Sequence, residues 1–192
     1  KSTGPQSALD ALRNAGIKVE QTPEAWTLTD IPRKVSAIAQ AIGIPQTGAQ
    51  LACQMITPKG TTISKKGIRI TFLYLRGGSA IYLIGGKGSG ADSLISAIGA
   101  LDVGAEKLQN PFNALTSEEM VTLNPDVILV MSKGLQSVGG VPGLVALPGV
   151  AQTEAGKNRR VIAVDDSLLL SFGPRTPDLL IKLSQAVERV SR

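Results

Sequence analysis

Residues 68–90 read IRITFLYLRGGSAIYLIGGKGSG, and the rest of the chain is placed around them. Ile68 to Leu75 is rich in β-branched and aromatic residues, as a buried strand requires. It ends in Tyr74-Leu75-Arg76-Gly77-Gly78. A short apolar run, Ile81 to Ile84, follows. The loop Gly85-Gly86-Lys87-Gly88-Ser89-Gly90 then opens a helix at about Asp92. In open α/β sheets ligands bind beyond the carboxyl ends of the strands. Tyr74 and Arg76 stand at such an end and are the first candidates for a site.

The totals narrow the function classes. At 192 residues the chain can build one good core, and 43% apolar against 18% charged residues marks it as globular. A net charge of +5 suits an anionic ligand. The 20 Lys and Arg residues are dispersed, however, and Trp, Tyr and Phe together number six. A nucleic-acid platform combines a basic stripe with stacking aromatics, so nucleic acid is excluded as a partner. One cysteine, Cys53, rules out an internal disulfide framework, and it reads as a quiet helix residue. The absence of histidine removes His-based triads and His-ligated zinc from this chain. No apolar run has the length of a membrane span. Lys1 to Pro5 resembles a loop more than a natural start, so a longer precursor is expected.

Upstream of the opening stretch, Pro5 to Ala15 reads as a short helix stopped by Gly16, and Ile17 to Glu20 as a short strand. Thr22 to Leu28 is a linker. Asp30 can cap a helix with Pro32 in its first turn and with Val35, Ile38, Ala39 and Ile42 on one face. A second helix after Pro45 carries Leu51, Ala52, Met55 and Ile56, and Pro58-Lys59-Gly60 breaks it. Two successive helices interrupt the βα alternation, as a connector between lobes would.

Downstream the alternation resumes. The helix after the glycine loop carries Leu94, Ile95, Ile98 and Leu101. Thr116-Ser117-Glu118-Glu119 is a capping box. Asp126 to Met131 reads as a continuous apolar strand, the mark of a sheet covered on both faces. A short helix is expected near Val141 to Leu147, a strand at Val161 to Val164, and a last helix from Thr176 with Leu179, Leu180, Leu183, Ala186, Val187 and Val190 inward. The predicted class is α/β, a Rossmann-like lobe with a mostly parallel sheet behind a helical connector. The expected divisions are a remnant of a first lobe at 1–24, the connector at 25–67 and the second lobe at 68–192.

The glycine loop invites a nucleotide reading and fails it in detail. No Ser or Thr follows a Gly-Lys pair, and Ala91 stands where the dinucleotide fingerprint needs its third glycine. A structural turn is the plain alternative; a carboxylate contact at Lys87, Gly88 and Ser89 is the other. Tyr74 and Arg76, two apart on a strand, point to the same side. A guanidinium beside a phenol favours the phenolate, and tyrosinate is a known haem ligand. Packing alone also accounts for a Tyr at a strand end. Met131, ending the next apolar strand, is core filler or a wall of the same pocket. Glu119 has a capping role, whereas Glu118 has none and is either solvated or free to pair with a partner's arginine. Asp165-Asp166 and Glu154 show no pairing that would suggest general acid–base work.

LTSEEMVTLNPDVILVM and KNRRVIAVDDSLLLSFGPRTPD resemble the substrate-binding proteins of bacterial ABC importers of the iron-complex and cobalamin class. TFLYLRGGSAIYLIGGKGSGADSLI is most similar to the haem-binding branch. The resemblance spans about residues 5 to 190. It implies two α/β lobes on a helical backbone and an extracytoplasmic, monomeric carrier or lipoprotein, touching the membrane only through a lipid anchor or the permease. It implies Tyr74 as axial haem ligand, with Arg76 as phenolate partner and Gly77, Gly78, Met131 and Phe112 around the pocket. Lys87, Gly88 and Ser89 would meet a propionate, and Glu118 would dock on the importer's permease. The chain departs from that pattern in lacking most of a first lobe, in carrying Phe112 near a position where relatives often have tyrosine, and in the early break at Pro58. The rival readings are a ferric-siderophore or cobalamin binder of the same fold, a nucleotide-dependent enzyme using the glycine loop, and a structural fragment that binds nothing.

Overall fold

A computed structural model describes residues 5–55, 61–76 and 82–191. Gly77, Gly78, Ile81, Ile56 and the expected break at Pro58-Lys59-Gly60 lie outside the described residues.

The centre of the molecule is β1 (Arg69–Leu75). On one side it pairs in parallel with β5 (Val127–Met131), and β5 pairs in parallel with β6 (Val161–Val164). On the other side β1 is shared. Its first residues pair in parallel with the two-residue β3 (Leu101–Asp102), and its last three pair antiparallel with β2 (Tyr82–Gly85). β4 (Phe112–Ala114) then adds antiparallel to β2, giving the order β4-β2-β1-β5-β6. The sheet is therefore mixed, with the antiparallel pair β2–β4 laid on the edge of a parallel core.

Alternation along β1 sorts the core into two layers. Ile70 and Phe72 join Val127, Leu129, Met131, Ile162 and Val164 on one face. That face is covered by α4 (Ala91–Ala97) and α11 (Thr176–Val190), whose Leu94, Ile95, Leu179, Leu180, Leu183 and Val187 are buried. Leu73 and Leu75 join Ile128, Val130 and Ile84 on the other, under Met120 of α6 (Ser117–Leu123) and Leu144 of α8 (Gly140–Val145). All five residues of β5 are buried, which is why its sequence is a continuous apolar run.

The upstream helices are α1 (Gln6–Asn14), α2 (Ile31–Ala41) and α3 (Pro45–Gln54). α2 and α3 form a hairpin so close that a Cβ on Gly48 would come within 2.2 Å of the Ala39 Cβ. Gly48→Val is expected to force this pair apart and destabilise the protein by a few kcal/mol, read from urea unfolding. Ile31 and Val35 anchor the hairpin in the main core, and Lys34 Nζ donates to the Ser171 carbonyl oxygen at 2.6 Å.

Several expectations need correction. Ile17 to Glu20 is not a strand, and Ile17 is exposed; a four-residue alternation carries no information about whether a neighbouring strand is there to pair with it. Asp30 does not cap α2 with its side chain. Its carboxylate turns back to accept from Trp26 N, Thr27 N and Thr27 Oγ1, closing a short 3₁₀ turn at Leu28–Asp30. Ile38, Ile42 and Leu51 are exposed because the α2–α3 contact runs through Ala39 and Gly48 instead. Leu101 is exposed too, since Gly99, with φ +78, ends the helical turn before it and Leu101 starts β3. The remaining short helices are α5 (Val103–Lys107), α7 (Ser132–Ser137), α9 (Glu154–Lys157) and α10 (Asp166–Leu169). None of these four has the length that periodicity needs to be seen.

Candidate ligand site at the end of the central strand

Tyr74 lies at the carboxyl end of β1, opposite Leu83 of β2, and is half-buried. Its ring meets Phe112 edge to face, with centroids 5.8 Å apart and planes at 66°. Phe112 meets Phe72 in the same manner at 6.5 Å and 67°. The register explains how rings from β1 and β4 touch across β2. Phe112 pairs with Gly85, and a Cβ on Gly85 would sit 2.9 Å from the Phe72 ring. Without a side chain at Gly85, the two phenylalanines meet over its backbone.

Arg76 follows the last residue of β1 and is exposed. Its guanidinium carbon lies 6.0 Å from the Tyr74 ring centroid, a cation–π arrangement worth about 0.5–1 kcal/mol at an exposed site. The two-residue spacing thus brings the pair together, with Arg76 over the ring. Met131 ends β5 on the same apolar face as Phe72, and Tyr74 and Phe112 pack against that layer. The other tyrosine, Tyr82, is committed elsewhere: it is buried, its hydroxyl donates to the Pro148 carbonyl oxygen at 2.8 Å, and burial raises its pKa.

The glycine loop is an anion cradle that the chain fills itself. Gly88 N and Gly90 N donate to the Asp92 carboxylate at 2.7 and 3.0 Å. Gly86 N, Lys87 N and Ser89 N donate to the carbonyl oxygens of Pro111, Leu108 and Gly86. The backbone of Lys87, Gly88 and Ser89 is therefore already occupied, and Ser89 is fully buried. What remains outward is the exposed Lys87 side chain. Gly90, with φ +88, leaves room for the Phe172 ring, which a Cβ there would approach to 2.8 Å.

Glu118 is exposed in the first turn of α6. Glu119 closes the capping box: its carboxylate accepts from Thr116 N and its own N–H donates to Thr116 Oγ1. The backbone bond and then the side-chain bond to Thr116 hold its carboxyl below the usual range.

A cavity of about 560 Å³ opens at the other end of β1, lined by Arg69, Glu106, Lys107, Leu115 and Glu119 among others. It holds none of the candidates, and two of its charged groups are already partnered. Arg69 pairs with Asp126 through Nε and Nη2 at 3.3 and 3.1 Å, and Glu119 is in its capping box.

Residue-type patterns did not single out Asp102. It is 8% exposed; its Oδ1 caps α5 by accepting from Gly104 N and Ala105 N, and its Oδ2 has no partner. Burial outweighs the two cap bonds and pushes its carboxyl to about 6, with Asp92 and Glu106 adding repulsion. A carboxyl that holds its proton more tightly in the folded state stabilises the fold while protonated. That contribution is complete below the unfolded value of 3.8 and is lost as pH rises through about 6. Asp102→Asn keeps an acceptor for the cap. It is expected to gain about 2 kcal/mol on the parent between pH 4 and pH 7, measured as the difference in urea unfolding at the two pH values. Equal pH slopes for the two proteins would contradict this.

A mixed α/β lobe with an aromatic and a cationic side chain at the carboxyl end of its central strand is the form of a ligand-binding lobe. Residues 14–168 match the model of the periplasmic binding protein family, and the chain belongs to that family. Among solved structures it is similar to the periplasmic haem-binding protein RhuT from Roseiflexus sp. RS-1, at 35% identity and TM-score 0.88, covering 100% of this chain and 74% of that one. It is similar to the periplasmic haem-binding protein BhuT in complex with two haems, at 28% identity and TM-score 0.86, covering 98% and 73%. It is also similar to the haem-binding protein HmuT, at 33% identity and TM-score 0.84, covering 96% of this chain but 62% of that one. No curated protein sequence matches the chain.

Proposed function

We propose that this chain is the greater part of an extracytoplasmic haem carrier that delivers haem to the permease of an ABC importer, without catalysing a reaction. The observation that carries this is the Tyr74–Arg76 pair at the carboxyl end of β1, in a chain whose structural relatives RhuT, BhuT and HmuT are named as haem-binding proteins. The phenol of Tyr74 loses its proton as the oxygen bonds ferric iron, and the Arg76 guanidinium balances the resulting negative charge. Met131 and Phe112 offer apolar surface to the porphyrin, and the Lys87 ammonium offers a counter-charge to a propionate. Gly77 and Gly78, which follow Arg76 in the sequence, are the remaining residues of the proposed pocket.

We assign residues 68–192 to one ligand lobe, 25–67 to the connector and 1–24 to the end of another lobe. The six strands among the described residues all fall within the first of these ranges. Glu118, exposed on α6, is the proposed electrostatic anchor on the permease. Anchoring by a lipid and a monomeric state complete the picture of a carrier.

Titration of the chain with hemin, a ferric siderophore and cobalamin, followed by absorbance, tests the ligand class. Saturable binding of hemin alone is expected. Binding of the siderophore or cobalamin in preference to hemin would overturn the haem assignment while leaving the family intact.

A further inference from the structure

The ring contacts of Tyr74 are set from two strands away. In the row that crosses the sheet at Phe72, β2 contributes Gly85, which has no side chain, and β4 contributes Phe112. The Phe72 ring takes the space a Gly85 side chain would fill, and Phe112 touches both Phe72 and Tyr74. A glycine in a strand covered by a neighbouring aromatic ring is a recognised way of pinning cross-strand register. Here the ring against Gly85 is Phe72, and Phe112, in edge contact with it, also touches the proposed iron ligand. The slot is tight: a Cβ at Gly85 would stand 2.9 and 3.3 Å from Phe72 atoms and 3.1 Å from Ser89 Oγ, itself fully buried. Phe72 and Ser89 are both fully buried. The strand is held just as closely from its edge, because the Gly85 carbonyl oxygen would be 2.2 Å from a Cβ on Gly104.

We propose that Gly85 and Phe112 are positioning residues for Tyr74, forming with Phe72 an aromatic stack that fixes the direction in which the phenol faces. This rests on Tyr74 as the iron ligand, and it adds residues that touch neither iron nor the phenol oxygen. An edge-to-face contact holds one ring orientation against others. A ligand atom held in place does not have to be ordered when iron arrives. A side chain at position 85 would displace the Phe72 ring, and with it the Phe112 ring that meets both Phe72 and Tyr74.

The test uses Phe112→Leu, which keeps most of the buried volume, and Gly85→Ala. Each protein is first shown to be folded by its far-UV circular dichroism. The chain has two tyrosines, so tyrosine-ring carbon labelling gives two sets of aromatic NMR signals, one each for Tyr74 and Tyr82. In Phe112→Leu the Tyr74 signals are expected to move, because they lose the ring current of Phe112, while those of Tyr82 stay. Hemin affinity is expected to fall roughly 3- to 10-fold, as the loss of one edge-to-face contact implies, with a shifted tyrosinate-to-iron band. Gly85→Ala, if folded, is expected to reproduce both changes from the neighbouring strand. Unmoved Tyr74 signals in Phe112→Leu would overturn the stack itself. Moved signals with unchanged hemin affinity and band would overturn its positioning role. If the parent binds no hemin, the haem reading fails instead, and the positioning role for iron fails with it.

Discussion

Tyr74→Phe is expected to abolish the tyrosinate-to-iron charge-transfer band of the hemin complex and to weaken hemin binding by at least about 10- to 100-fold, the loss typical when even a supporting residue of a metal site is removed. The substitution isolates one atom. Phenylalanine keeps the ring that packs against Phe112 and beneath Arg76, so the fold and the pocket walls persist. What disappears is the oxygen that bonds iron. Tyr82 cannot substitute, because it is buried with its hydroxyl held by Pro148. Histidine cannot either, because the chain has none. Unfolding curves that coincide for parent and variant would show that the loss is local. A variant that retains parental affinity and spectrum would remove Tyr74 from the site.

The second large effect is expected in the scaffold beneath the site. Phe172→Ala should cost about 3–5 kcal/mol, as truncating a fully buried aromatic does, read from the midpoint and slope of urea unfolding. Phe172 is fully buried, and its ring lies against Gly90 at the start of α4. It does so from a left-handed backbone conformation, φ 44°, which is uncommon for a bulky residue. Packing of the ring against the sheet layer is what holds that conformation. Alanine removes the ring and keeps the strain, so nothing offsets the cavity. A cost below 1 kcal/mol would mean that Leu170 and its neighbours close the gap. Gly90 and Asp92 frame the filled anion cradle beside this ring.

The parts of the fold that were legible in sequence are those whose burial is continuous or periodic. β5 showed as an apolar run because both its faces are covered, and α11 showed as a helical stripe because one face is. The Thr116–Glu119 box marked the start of α6 because its two bonds lie within four residues. β3 and β4 were not legible, being two and three residues long. The antiparallel turn of β2 depends on pairing, which a single strand does not encode.

The candidate site divides in the same way. Tyr74 and Arg76 could be paired from their spacing, since residues two apart share a face of a strand. Phe112 as an edge-on neighbour could not, because that contact passes over Gly85 on an intervening strand. The glycine loop looked open to a ligand's carboxylate. Asp92, a few residues on, fills it from within. The double glycine at 85–86 marks two close approaches. Gly85 makes way for Phe72. Gly86 lies so close to the carbonyl oxygens of Asn110 and Leu108 that a Cβ would be 2.3 and 2.7 Å from them.

Resonance Raman spectroscopy of the hemin-loaded chain, excited within the tyrosinate-to-iron band, tests the assignment of Tyr74 to iron most directly. Enhanced phenolate ring modes are expected in the parent and should vanish in Tyr74→Phe. A hemin complex of the parent without those modes, or one that keeps them after Tyr74 is replaced, would contradict it.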